Sequence, residues 1–185
     1  MTYLTQEQLA DLGFRRLGKN VKISDKAAIY NPEKISIGDN SRIDDFCVLS
    51  GQIELGRNVH IAVFCNLAGG EKGITLQDFA GLAYNVTVFA QSDDYSGRTL
   101  TNPTVPAEHK DVTSKPVHIG RHVIVGAGSL VFPGVTIADG CSVGAMSLIS
   151  SSTEEWGIYV GVPAKRVNER SKELLTAETA YLSEP

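Results

Sequence analysis

The sequence predicts an all-β fold, a parallel β-helix of hexapeptide repeats with one long inserted loop and short helices at both ends. Two observations carry this. Aliphatic residues stand six apart without a miss at Ile37, Ile43, Leu49, Leu55, Ile61 and Leu67. They do so again at Ile119, Val125, Val131, Ile137, Val143 and Ile149. Leu, Ile and Val make up about a quarter of the chain. Six consecutive hits then arise by chance on the order of once in several thousand starting points. The second observation is what accompanies each aliphatic residue. Gly follows it at Gly38, Gly56, Gly120, Gly126 and Gly144. Four residues after it stands a small or β-branched residue, as at Ser41, Cys47, Ile53, Val59 and Cys65. A chain that runs as a short strand, turns a corner and repeats needs this pattern. Three hexads close one triangular coil of eighteen residues, and stacked coils bury a continuous core. A β-sandwich has no reason to hold a six-residue phase so long.

The elements follow in order within a single domain, 1–185. Residues 1–20 read as a helical cap. Thr5 is its N-cap, Gln8 completes a capping box and Gly13 stops it. Coils fill 21–88, where Ile23, Ile29 and Ile35 open the phase and Leu76, Leu82 and Val88 close it. Between Leu67 and Leu76 the chain is three residues longer than one hexad, so a small insertion bulges from a corner. Residues 89–116 are polar, aperiodic and hold three prolines, and a loop this long in a compact domain is usually functional or disordered. Coils resume over 117–152. The segment 153–185 reads as a cap and helix, with Leu174, Leu175 and Leu182 near helical spacing. Open ends of a β-helix expose unpaired backbone, so both require covers.

Bulk properties narrow the class. A net charge of −4 gives no general attraction to nucleic acid or acidic lipid. Three cysteines without CxxC spacing argue against a disulfide framework and for a reducing compartment. No basic segment with an apolar run opens the chain, and no apolar stretch approaches membrane-spanning length. The expectation is a cytoplasmic protein.

The repeat, the loop and several motifs resemble the hexapeptide-repeat acyltransferases, over about residues 20 to 170. The motifs are Asn85-Val-Thr, Gly126-Ala-Gly, Pro133-Gly-Val, Gly144-Ala-Met-Ser and Gly161-Val-Pro-Ala-Lys. That family includes the galactoside and xenobiotic acetyltransferases and the N-acyltransferases of nucleotide-linked amino sugars. The resemblance implies a left-handed coil, a homotrimer with active sites between subunits, and acetyl-CoA or another acyl-CoA as co-substrate. The acceptor is a sugar or nucleotide-linked sugar, within cell-surface polysaccharide synthesis. No metal, nucleic acid or membrane insertion is expected.

Site residues carry over from the same resemblance. In the galactoside branch a catalytic His lies six residues beyond an Asn-Val-Thr. Here Asp93 stands near that place, followed by Asp94, and the His is missing. A carboxylate is a weak base unless a like charge or burial raises its pKa, and an adjacent pair in a partly buried cleft has that means. The same stretch also suits a turn. An amine acceptor needs less base help than a hydroxyl, so the substitution favours an amino sugar gripped by Asp93 or Asp94. Asn66 and Tyr95 are expected at the acceptor, although Asn66 also suits a left-handed corner. Ala127 and Ala145, eighteen apart, are expected to flank the pantetheine arm. Ser150 and Ser151 are expected at the cofactor where relatives use a Thr-Lys pair, so a cation is missing there. Lys165 falls where relatives place an Arg on the adenosine phosphates, and Arg166 is adjacent. Trp156 reads as a cap on the last coil, His109 as a surface residue, and the cysteines as inert packing.

Two other classes remain open at this level. One is a non-catalytic β-helical scaffold. The other is a carbonic-anhydrase-like metalloenzyme using His60, His118 and His122, although the spacing of the last two is one residue short for it.

Overall fold

The computed structural model describes residues 2–183. Met1, Glu184 and Pro185, which the two terminal segments were expected to include, lie outside the described residues. Between the termini the chain winds as a three-faced coil. The first face stacks Lys22–Ile23, Arg42–Ile43, His60–Ile61, Gly81–Leu82, Ile124–Val125, Ser142–Val143 and Gly157–Val160, all parallel and in register. The second stacks Ala28–Ile29, Val48–Leu55, Asn66–Leu76, Thr87–Phe89, Leu130–Val131 and Leu148–Ile149. The third holds Ile35–Ile37, the ends of the two long strands, Val117–Ile119 and Thr136–Ile137.

The hexad positions build the core. Every aliphatic residue from Ile37 to Leu67 in the six-residue phase is fully buried, as are Ile119, Val125, Val131 and Ile137. The residue four further on is buried too. Cys47, Ile53, Val59, Cys65, Val123 and Val135 form a second inward column. Ser129 fits there because its hydroxyl donates to the Gly144 carbonyl and accepts from the Ser147 amide, at 3.1 Å each. The thiol of Cys65 is pushed up by its bond with Cys47 and by burial, which suits inert packing.

The corners turn through left-handed backbone. Asn40, Phe46, Asn58, Phe64, Phe79, Asn85, His122 and Met146 all take positive φ. Asn66 does not: it lies in a strand, paired with Val48 and Thr87. Glycine is required where coils touch backbone to backbone. A Cβ on Gly126 would sit 2.5 Å from the Ala145 amide nitrogen.

The ends differ from each other. Helix α1 (Gln6–Asp11) forms with the expected capping box between Thr5 and Gln8 and buries Leu9. Helix α2 (Leu174–Ser183) forms but does not cap the coil. It lies along the corner between the third and first faces. Glu178 bonds Arg121 and, at 3.0 Å, His122, while the Tyr181 hydroxyl reaches Asn58 at 2.9 Å. Those partners belong to two coils, and the Tyr181 ring packs edge-on against Phe79 of the coil between them, so α2 is a strap. The other end is closed by Trp156 and Tyr159, both buried, and by Lys165–Glu169 turning back antiparallel on Gly157–Val160.

The extra residues after Leu67 sit at the corner between the second and third faces. There Asn66–Leu76 runs on as one strand, its register shifting around Gly51. The long loop leaves the same corner one coil above.

Candidate active site

The loop is tied at its base. Gln91–Ser92 pairs antiparallel with Thr113–Ser114, and the Lys115 amide donates to the Ala90 carbonyl at 2.9 Å. Beyond this base the chain folds on itself through a bridge between Leu100 and Lys110 and a 3₁₀ turn, Ala107–His109. Gln91, Ser92, Asp93, Pro103, Lys110 and Val112 line a hollow of about 270 Å³.

The two aspartates have different environments. Asp93 faces that hollow and accepts one bond through Oδ2 from the Asn102 amide at 3.1 Å. Asp94 closes a turn instead. Its Oδ1 accepts from the Ser96 amide and its Oδ2 from the Ser96 hydroxyl, both at 2.8 Å, with Thr99 Oγ1 at 3.3 Å. These donors, Ser96 foremost, hold the Asp94 pKa down to about 2. The expected elevation of the pair is therefore not found at Asp94: hydroxyl and amide donors favour its charged form. Tyr95 projects into solvent, 93% exposed.

The remaining expected residues stand elsewhere on the single chain. Asn66 is exposed at the start of the second face. Ala127 and Ala145 lie on successive coils at the corner between the first and second faces, where the Ala127 carbonyl accepts from the Met146 amide at 2.8 Å. Side-chain size changes sharply along this corner. The lower coils carry Phe46, Phe64 and Tyr84, all exposed, and the two upper ones carry Gly126-Ala-Gly and Gly144-Ala-Met, with Met146 exposed. The upper corner is thus a channel that is smooth at the two alanines and edged by the exposed Met146 side chain beside Gly128. Ser150 and Ser151 are exposed one corner further on. Arg166 pairs with Glu154 at 2.7 Å, and Lys165, also exposed, has no ion pair among the described residues. The loop carboxylates and the channel are separate features of the single chain.

The histidines do not converge on a metal. Among the described residues no group of three or more His, Cys, Asp or Glu is placed to hold one. His60 bonds Asp44, His122 bonds Glu178, and His109 is exposed in the loop. The Asp44–His60 contact was missed by motif reasoning. The eighteen-residue coil holds its signal, because it sets Arg42 directly beneath His60.

A dTDP-4-amino-4,6-dideoxy-D-glucose acyltransferase from Escherichia coli is 44% identical over 184 residues, covering 98% of this chain and 95% of that protein. The chain belongs to the hexapeptide-repeat acyltransferase family. This acyltransferase also superposes on AntD, an N-acyltransferase from Bacillus cereus. One AntD structure, a serine variant, holds dTDP-4-amino-4,6-dideoxyglucose and coenzyme A. It matches with a TM-score of 0.97 and 47% identity, over 98% of this chain and 97% of that one. Another holds dTDP and 3-hydroxybutyryl-CoA, with a TM-score of 0.96 and 47% identity over 97% and 96%. No protein-family model matches the chain. The protein is a CoA-dependent acyltransferase that acts on a sugar or nucleotide-linked sugar, and the scaffold and metalloenzyme readings give way to this one. No helix among the described residues is long and apolar enough to cross a membrane.

Proposed function

We propose that the enzyme transfers an acyl group from acyl-CoA to the 4-amino group of a dTDP-linked 4-amino-4,6-dideoxy sugar, in the cytoplasm, for cell-surface polysaccharide synthesis. The observation that carries this reading is the similarity to a protein of that activity over nearly the whole of both chains. The loop supports it independently. It presents Asp93, a carboxylate with an oxygen unused among the described residues, at the place where the galactoside branch presents an imidazole. A carboxylate suits an ammonium group by charge and hydrogen bonding.

In this reading Asp93 grips the acceptor amine, and Asp94 holds the loop in shape through Ser96 and Thr99. Asn66 and Tyr95 contact the acceptor. Ala127 and Ala145 flank the pantetheine in the smooth upper corner. Ser150, Ser151, Lys165 and Arg166 approach the CoA phosphates. The loop carboxylates and the channel are joined by assembly: in a homotrimer the loop of one subunit covers the corner of the next. The exposed Phe46, Phe64, Tyr84 and Met146 supply apolar surface for such a contact.

The test is turnover by purified enzyme, followed by mass spectrometry. dTDP-4-amino-4,6-dideoxyglucose and its 4-hydroxy counterpart are each offered with acetyl-CoA and with 3-hydroxybutyryl-CoA. The amine compound gains one acyl group, and the hydroxy compound none. Exclusive acylation of the hydroxy compound overturns the reading.

A further inference from the structure

Acylation of an amino sugar requires an uncharged nitrogen lone pair. A carboxylate that grips an ammonium stabilises its charged form, so the loop aspartates make the proton harder to remove. Asp94 is also a poor acceptor for it, with a pKa near 2 and its oxygens held by Ser96 and Thr99. The proton needs another destination.

The first face holds a suitable group. Asp44, only 3% exposed, follows the strand Arg42–Ile43. Arg42 grips it with two bonds, Nε to Oδ1 at 2.6 Å and a terminal nitrogen to Oδ2 at 3.1 Å. His60, one coil above, meets the same Oδ2 through Nε2 at 2.9 Å. Burial pushes the Asp44 carboxyl up, but the bonds from Arg42 and His60 outweigh it and leave the pKa below the ordinary value. An ionised carboxylate only accepts, so Nε2 carries the ring hydrogen and Nδ1 keeps a lone pair.

That ring opens onto a hollow of about 240 Å³, shared with Ala62, Gly81, Ala83, Tyr84 and Ile124. Gly81 pairs directly above His60 and leaves a notch, where an added Cβ would meet nothing within 4 Å. The hollow adjoins the smooth corner: the Tyr84 carbonyl accepts from the Gly128 amide, one residue past Ala127, at 2.9 Å. The titratable and charged groups about the ring are Asp44 and Arg42 below and Tyr84 at the corner. Tyr3 stands beneath Arg42, and His122, Arg170 and Glu178 lie in the adjoining groove beyond Gly81 and Ile124.

We propose that His60, oriented by Asp44, is a catalytic residue that takes the proton from the acceptor ammonium in the Gly81 notch. This rests on the amino-sugar reading above. Nδ1 accepts one proton, and the freed lone pair adds to the thioester carbonyl. The carbon–sulfur bond then breaks, the sulfur leaves as the thiol with the second nitrogen proton, and the imidazolium returns the first proton to water.

The experiment measures kcat/KM against pH for wild type, His60→Gln and Asp44→Asn with the amine substrate. CoA-dependent thermal shifts confirm folding and cofactor binding. The wild-type rate falls on the acid side in a limb set by protonation of the base. His60→Gln loses about 10²- to 10⁴-fold and loses that limb, with an unchanged CoA shift. Asp44→Asn keeps a limb displaced to lower pH, because the carboxylate that stabilises the imidazolium is gone. A His60→Gln enzyme with the wild-type rate, or with the same acid limb, overturns the proposal alone. A wild type that acylates only the hydroxy compound overturns the amino-sugar reading and this step with it.

Discussion

From Ile37 to Leu67 every sixth side chain is fully buried, whereas between Asp93 and Lys110 no residue is buried. The two regions are stabilised differently. Each coil is held by aliphatic packing and by parallel strand pairs above and below. The loop is held by its own short polar contacts: Asp94 on Ser96, Asp93 on the Asn102 amide, Lys110 Nζ on the Asn102 carbonyl. A segment with so little buried area contributes little to folding and is free to carry chemistry.

This contrast breaks most sharply if the loop is removed. Replacing residues 94–110 by a short Gly-Ser link should abolish turnover while leaving the melting temperature close to wild type. A large fall in melting temperature would mean that the loop is part of the core. The converse change is Leu67→Ala, which opens a cavity in the second face. It should lower stability by about 2–5 kcal/mol, measured by denaturant unfolding, with kcat unchanged at temperatures where the protein stays folded. Asp93→Asn tests the loop alone. It removes a charged partner of the acceptor worth about 1.5–3 kcal/mol, so kcat/KM should fall roughly 10- to 150-fold without a change in melting temperature.

Smaller effects sharpen the edges of the comparison. The α2 strap is docked by Glu178. Burial raises its carboxyl pKa, but bonds from Arg121 and His122 outweigh this and leave it lowered. A lowered folded-state value gives stability that is present above the ordinary carboxylate value, about 4.3, and is lost as pH falls through the folded-state value. Protease cleavage within α2 should therefore rise on acidification below that point, and Glu178→Gln should show it at neutral pH. Smallest of all, Glu154→Ala frees Arg166 from an exposed ion pair. Stability should change by less than about 1 kcal/mol, and the KM for CoA should move more than the melting temperature.

The same contrast explains what was legible in the sequence. The period of six that places Ile37, Ile43 and Leu49 inside is a local rule that repeats, so it is readable without coordinates. The loop was legible as the place where that rule fails. Its internal chemistry was not. Asp94 looked like half of a mutually elevated pair, and the Ser96 and Thr99 donors reverse that because hydrogen bonding to the charged form wins. The strap was misread as an end cap, since its leucine spacing predicts a helix but not its docking on Arg121 and His122, some 56 residues away. The Asp44–His60 contact is intermediate. It appears once the eighteen-residue coil is used as a ruler, but no short motif contains it.

Division of labour between subunits is the claim on which the proposed mechanism stands, and mixed trimers test it most directly. Asp93→Asn removes the loop function, and Ala127→Trp obstructs the smooth corner. Each variant alone should be impaired, Asp93→Asn by roughly 10- to 150-fold and Ala127→Trp at least as strongly. Co-expressed with separable tags and purified as mixed trimers, they should recover activity, because some sites then draw an intact loop from one chain and an intact corner from another. Mixed trimers with no more activity than either parent would contradict it, placing loop and corner of each site on the same chain.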